Sequence, residues 1–182
     1  MKWSEKQYQV KIKRYIITGP ECSGKTTLAA ALAKKLETGF VPEIARDYLA
    51  KHPNSYTLED VLKMAKLQYD AIKSTPASEI GLQICDTAML EFKIWLDDKF
   101  YYTDPFTEQA FENLKDSFYF LCKPDIPFEK DPLREDPHRR MELFERYLAV
   151  LNDKKMLFKI IEGTLENRLD TAIDLIKSQK LI

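Results

Sequence analysis

The run Gly19-Pro20-Glu21-Cys22-Ser23-Gly24-Lys25-Thr26 fits the pattern G-x-x-x-x-G-K-S/T in full. Those residue types at that spacing suit one task, holding a chain of phosphates. Glycines let the backbone curl until successive N–H groups point inward, where a following helix adds the positive end of its dipole. Lys25 then spans the β- and γ-phosphates and the Thr26 hydroxyl enters a magnesium shell, so the expected cofactors are ATP and Mg2+. Glu21, Cys22, Ser23 and Thr27 join Gly19, Gly24, Lys25 and Thr26 in the expected nucleotide-binding set. Cys22 has two readings: a thiol acidified by the helix N-terminus, or a small residue of which only the backbone amide matters.

Two acids stand where such chemistry needs them. Asp86 closes the apolar run LQICD, and either holds magnesium or, with Thr87, caps the next helix. Glu43 follows a short apolar run in Val41-Pro42-Glu43-Ile44-Ala45-Arg46-Asp47. A carboxylate there can orient an acceptor hydroxyl and take its proton, with Asp47 one turn later on the same face. It is equally a favourable first-turn acid on a helix. Residues 125–140 hold Pro127, Pro132 and Pro137 among five acids and four bases, which reads as a polar loop or short helical lid. Its Arg134 is assigned to the transferring phosphoryl group, and Arg139 and Arg140 to the nucleotide. The plainer reading pairs these arginines with Glu129, Asp131, Glu135 and Asp136.

These residues need a scaffold that brings them to one edge. Residues 14–18 (RYIIT) are a β-branched and aromatic run ending at Gly19. Leu28, Ala29, Leu32, Ala33 and Leu36 then recur at helical spacing, with Gly39 read as the stop. Further strands are expected at 39–42, 82–86, 118–122 and 159–162. Helices are expected from Glu43 to about Lys51, behind the capping box Thr57-Leu58-Glu59-Asp60, at 89–99, at 106–115, around Leu143 to Leu151, and after the Gly163 turn. Strands alternating with helices imply right-handed βαβ units and a parallel sheet of about five strands, covered on both faces in a three-layer α/β/α fold. Such sheets bind ligands beyond the carboxyl ends of their strands, where every motif above falls.

The 182 residues suit one domain spanning 1–182, with its lid at about 125–140. A net charge of −1 offers no field for nucleic acid or an anionic membrane. No run approaches the roughly eighteen apolar residues of a membrane span, and residues 1–14 are basic without a following apolar stretch. Cys22, Cys85 and Cys122 have no zinc-ligand spacing, and free thiols without an export signal point to the cytoplasm.

In order along the chain, GPECSGKTTLA, VPEIARDYL, CDT with Trp95 nine residues after Asp86, CKPDIPFEKDPLRE and HRRMELFERYL resemble the ribosylnicotinamide kinase domain of NadR-type proteins. The resemblance runs from about Tyr15 to Ile176. It implies a P-loop kinase that phosphorylates nicotinamide riboside to the mononucleotide. It implies further that Glu43 and Arg46 line the riboside site, that Asp86 serves magnesium or the acceptor, and that Trp95 stacks on the pyridine ring. Read without the family, Trp95 is a helix-face core residue. The chain departs from the family pattern at Ala88, where a second acid is usual, at Phe128, and at Asp131-Pro132. Ala88 keeps open a kinase of another nucleoside or small alcohol, and a nucleotide-dependent switch that phosphorylates nothing is the remaining alternative. The helix-turn-helix and adenylyltransferase domains of full-length members find no room here, so sequence-specific DNA binding is not expected.

Overall fold

Strand β1 (Lys13–Thr18) lies at the centre of a five-stranded, all-parallel sheet. Its partners are β2 (Gly39–Val41), β3 (Leu82–Asp86), β4 (Phe118–Cys122) and β5 (Leu157–Ile161), in the order β2-β3-β1-β4-β5. This computed structural model describes residues 13–52, 55–79, 81–129, 131 and 135–179. Ile17 is level with Asp86 on β3 and with Phe120 on β4, which aligns the carboxyl ends of the three central strands.

Both faces of the sheet are apolar, as a parallel sheet buried on both sides requires. Ile16, Cys85, Tyr119 and Leu121 point to one layer. That layer comprises α2 (Ile44–Lys51), α3 (Leu58–Ser74), α4 (Met89–Phe100), α5 (Pro105–Glu112) and α6 (Arg140–Asp153). Tyr15, Ile17, Ile84, Phe120 and Cys122 point to the other, formed by α1 (Lys25–Lys35) and α7 (Leu165–Ser178). The three-layer α/β/α P-loop fold expected from the alternation of elements is the fold observed. Fully buried Leu28, Leu32, Met64, Phe92 and Phe111 tie the helices to the sheet, each side chain contributing about 1.5–3 kcal/mol by leaving water.

Element ends follow local chemistry. Thr57 caps α3 as expected: its hydroxyl accepts from the Asp60 amide at 3.3 Å, and Asp60 accepts from the Thr57 amide at 2.9 Å. Gly39 is not the stop of α1. That helix closes at Leu36, and the reversal falls on Glu37 in a left-handed conformation (φ 46°). Gly39 instead lies in β2, where a Cβ would stand 2.0 Å from the Pro76 carbonyl oxygen, so close backbone approach demands it. α5 ends three residues before Lys115, because tight i to i−3 bonds at Leu114, Lys115 and Ser117 turn the chain into β4. β5 starts two residues earlier than Lys159. At the sheet edge Leu157 is exposed, which obscures the apolar pattern.

Candidate active site

The loop between β1 and α1 is shaped by backbone demands. Gly19 has φ 135°, and a Cβ on it would lie 2.7 Å from the Cys122 carbonyl oxygen. Gly24 is the N-cap of α1, so the helix begins at Lys25 with its amides facing the loop. Within the loop Ser23 is buried and its hydroxyl donates to the Pro20 carbonyl at 2.8 Å. Lys25 Nζ donates to the same oxygen, also at 2.8 Å. Behind the loop stands Arg168 of α7, 2% exposed, which donates to the carbonyls of Ser23 (2.6 Å), Gly163 (2.8 Å) and Lys123 (3.0 Å) and pairs with Asp125. One guanidinium thereby fixes the loop to the exits of β4 and β5. Sequence reasoning passed over it, although an arginine one turn before Ala172 and Ile173 on an apolar stripe is itself a signal of buried hydrogen bonding.

The loop opens into a cavity of about 600 Å³, within the usual range for small-molecule clefts. Residues 19–27 form one wall, so the expected nucleotide-binding set from Gly19 to Thr27 lies together. Glu43, Arg46 and Trp95 line the same cavity. Glu43 is the N-cap of α2, and Gln68 of α3 brackets it: Gln68 Oε1 accepts from the Ile44 amide (2.9 Å) and Nε2 donates to the Pro42 carbonyl (3.2 Å). Asp47 is exposed and stands outside the lining. Arg46 pairs with Asp131 at 3.1 Å. Trp95 is half-buried, with its indole N–H donated to the Tyr56 hydroxyl at 3.0 Å and its ring edge-on to Tyr56 at 4.9 Å. Tyr56 in turn donates to Glu135 at 2.9 Å.

Asp86 lies at the end of β3, 1% exposed, and among the described residues neither carboxylate oxygen has a hydrogen-bond partner. Burial pushes its pKa up to about 6, opposed first by the Thr26 hydroxyl. Thr87, β-branched, follows in the left-handed region at φ 66°, a strained conformation of the kind that collects at functional sites. An unpartnered carboxylate beside a threonine hydroxyl is a donor set that suits magnesium, a hard cation which keeps waters and phosphate oxygens in its shell. Among the described residues no group of three or more His, Cys, Asp or Glu forms a fuller metal cage.

The segment between β4 and α6 is tied to the loop at several points. Glu21 turns its carboxylate to the amides of Glu135 (2.9 Å) and Asp136 (2.7 Å). The Glu129 amide donates to Cys22 Sγ at 3.1 Å. Arg140 donates to the carbonyls of Cys22 (3.1 Å) and Ile126 (3.0 Å). Arg139 grips Asp98 and Glu142, each at 2.7 Å. Both described arginines thus meet protein groups in this geometry, and neither lines the cavity. Arg134 lies outside the described residues.

Glu91, on the first turn of α4, was missed by sequence reasoning. It lines the cavity, accepts from the Thr18 hydroxyl (2.7 Å) and from the Ala88 amide (3.0 Å), and burial pushes its pKa up to about 7, opposed first by the Lys25 charge. Its place three residues after the helix N-cap was the available signal.

Two NadR structures superpose on the chain, one in complex with NR (TM-score 0.74, 21% identity) and one with NAD and AMP-PNP (TM-score 0.68, 22% identity). Each alignment covers 92% of this chain but only 50% and 49% of the respective NadR chain, so the chain spans about half their length. Deoxyadenosine kinase from M. mycoides aligns with TM-score 0.63 and 13% identity, covering 91% of this chain and 98% of that one. At these identities the likeness is one of fold. Among curated proteins none matches significantly. The family model described as AAA domain matches residues 14–168, most of the chain, and the chain therefore belongs to that family, on a P-loop kinase fold.

Proposed function

We propose that this chain is an ATP-dependent small-molecule kinase that transfers the γ-phosphoryl group to a nucleoside hydroxyl, with nicotinamide riboside as acceptor. One observation carries the reading: the phosphate-cradling loop and the carboxylate and aromatic residues suited to an acceptor share a single cavity. The NadR fold relatives, one in complex with NR, support this acceptor.

In this mechanism the backbone N–H groups of residues 21–27 and the Lys25 ammonium hold the triphosphate, and Thr26 and Asp86 would hold magnesium. When bound, that ion neutralises charge on the β- and γ-phosphate oxygens. Arg46 and Trp95 line the acceptor end, Trp95 offering its ring to a cationic pyridine. Glu43, or Asp86, orients the acceptor hydroxyl. Arg140 steadies the loop through the Cys22 carbonyl, and the residues around 125–140 act as a lid closing over the nucleotide. Arg139 holds that lid to α4 through Asp98, and Arg134 is assigned to the transferring phosphoryl group. The described core is read as one kinase domain. The reading places the protein in the cytoplasm, where its nucleotide substrate is.

ADP formation from Mg-ATP, with and without nicotinamide riboside, tests the proposal. Strong stimulation with the mononucleotide as product, abolished by Lys25→Ala, is expected. No stimulation in protein that binds ATP would remove the riboside, and a nucleoside panel would then separate another acceptor from a switch that only hydrolyses ATP slowly.

A further inference from the structure

The kinase reading leaves one pocket carboxylate without a task. Glu43, the acid singled out in the sequence, has no hydrogen-bond or ion-pair partner among the described residues, so nothing fixes its carboxylate beyond the backbone bracket of Gln68. Glu91 is held at both ends. Its Oε1 takes the hydroxyl of Thr18, the last residue of β1 and immediately before Gly19. Its Oε2 takes the Ala88 amide. A glutamate three residues into a helix often returns to the N-cap amide, and that habit accounts for Oε2. It does not account for the second anchor on β1 or for the exposure of the group to the cavity. Each oxygen keeps a lone pair for a further donor.

Resting on the kinase reading, we propose that Glu91 is the catalytic base: its carboxylate receives the acceptor hydroxyl and takes its proton as the phosphoryl group moves. The acceptor O–H bond breaks and its proton passes to Glu91. The acceptor oxygen bonds to the γ-phosphorus, and the bond from that phosphorus to the β,γ-bridging oxygen breaks, leaving ADP with the electron pair. Glu91 faces Lys25 from α1, Tyr147 from α6, and Tyr119 and Cys85 from the sheet. Held up near 7 by burial, it suits proton abstraction close to neutral pH. Glu43 then contributes to acceptor binding.

Glu91→Gln is the test, because an amide keeps an acceptor for the Ala88 N–H and can donate to the Thr18 oxygen. Acceptor-stimulated ADP formation should fall by about 10²-fold or more in kcat, the lower end of the usual range for a lost general base. KM for ATP and the melting temperature should stay near wild type, and Glu43→Gln should act mainly on KM for the acceptor. Thr18→Val, which removes only the hydroxyl that holds Glu91, should move the acid limb of the kcat profile to higher pH. That shift is not expected if Glu91 serves the fold alone, and it remains readable should Glu91→Gln fold poorly. Near-wild-type kcat in Glu91→Gln, or an unmoved profile in Thr18→Val, would overturn the assignment while the kinase reading stands. A wild type with no acceptor stimulation would overturn both.

Discussion

Asp86 is an aspartate at the end of a fully buried strand, and among the described residues neither of its oxygens is hydrogen-bonded. Burial lifts its pKa from the ordinary 3.8 to about 6. A carboxyl whose folded pKa lies above its unfolded value favours folding while protonated, and that advantage disappears as pH rises through the folded pKa. Without metal or nucleotide, Asp86→Asn should therefore stabilise the protein at pH 8 by about 1–3 kcal/mol, an order of magnitude set by the size of the shift. The gain should shrink as pH falls through 6 and be nearly gone at pH 4. Urea unfolding in EDTA across that range checks it, and a gain constant with pH would show that Asp86 is not the titrating group. The same substitution should weaken Mg-ATP binding, because stability and function pull in opposite directions at this residue.

At the scale of elements, position is set by contacts between helices distant in sequence. Gln68 lies in the middle of α3, fully buried, and holds the chain on both sides of Glu43. Gln68→Ala removes the partners of the part-buried Ile44 amide and Pro42 carbonyl, at a cost of about 0.5–1.5 kcal/mol each. KM for the acceptor should rise about tenfold with little change in ATP affinity, since the loop of residues 19–27 is held elsewhere. Steady-state kinetics with each substrate varied separates these effects. Gly39→Ala should be worse for the fold, because a Cβ 2.0 Å from the Pro76 carbonyl oxygen forces β2 away from the α3–β3 connection. A loss of several kcal/mol, or insoluble protein, is expected. The capping box of α3 was readable from Thr57 and Asp60 because both partners lie within one turn. The role of Gln68 was not, since its partners are 24 and 26 residues away.

Across the whole molecule, the phosphate loop and the β4–α6 segment form one connected unit through Glu21, Cys22 and Arg140. Glu21→Ala removes two charge-assisted hydrogen bonds, so the Glu135 and Asp136 amides should exchange about tenfold faster or more. Hydrogen exchange read by mass spectrometry over that segment measures this, and unchanged protection would show that the segment is held by its other ties. The hydrogen bonds from Trp95 to Tyr56 and from Tyr56 to Glu135 link the Trp95 wall of the cavity to the same segment. What the sequence by itself determined was the part of this protein written in local pattern. The strand–loop–helix signature at residues 19–26, the alternation that dictates a doubly covered parallel sheet, and the acids at strand ends all rest on spacing within a few residues, where backbone geometry and burial leave few choices. The tertiary structure alone decided which polar side chains meet. Arg168 reaching Ser23, Gln68 bracketing Glu43, Glu91 bridging Thr18 and Ala88, and the engagement of Arg139 and Arg140 with protein groups all depend on side-chain partners up to 145 residues apart, whose pairing is set by the packing of layers and leaves no periodic trace in the chain.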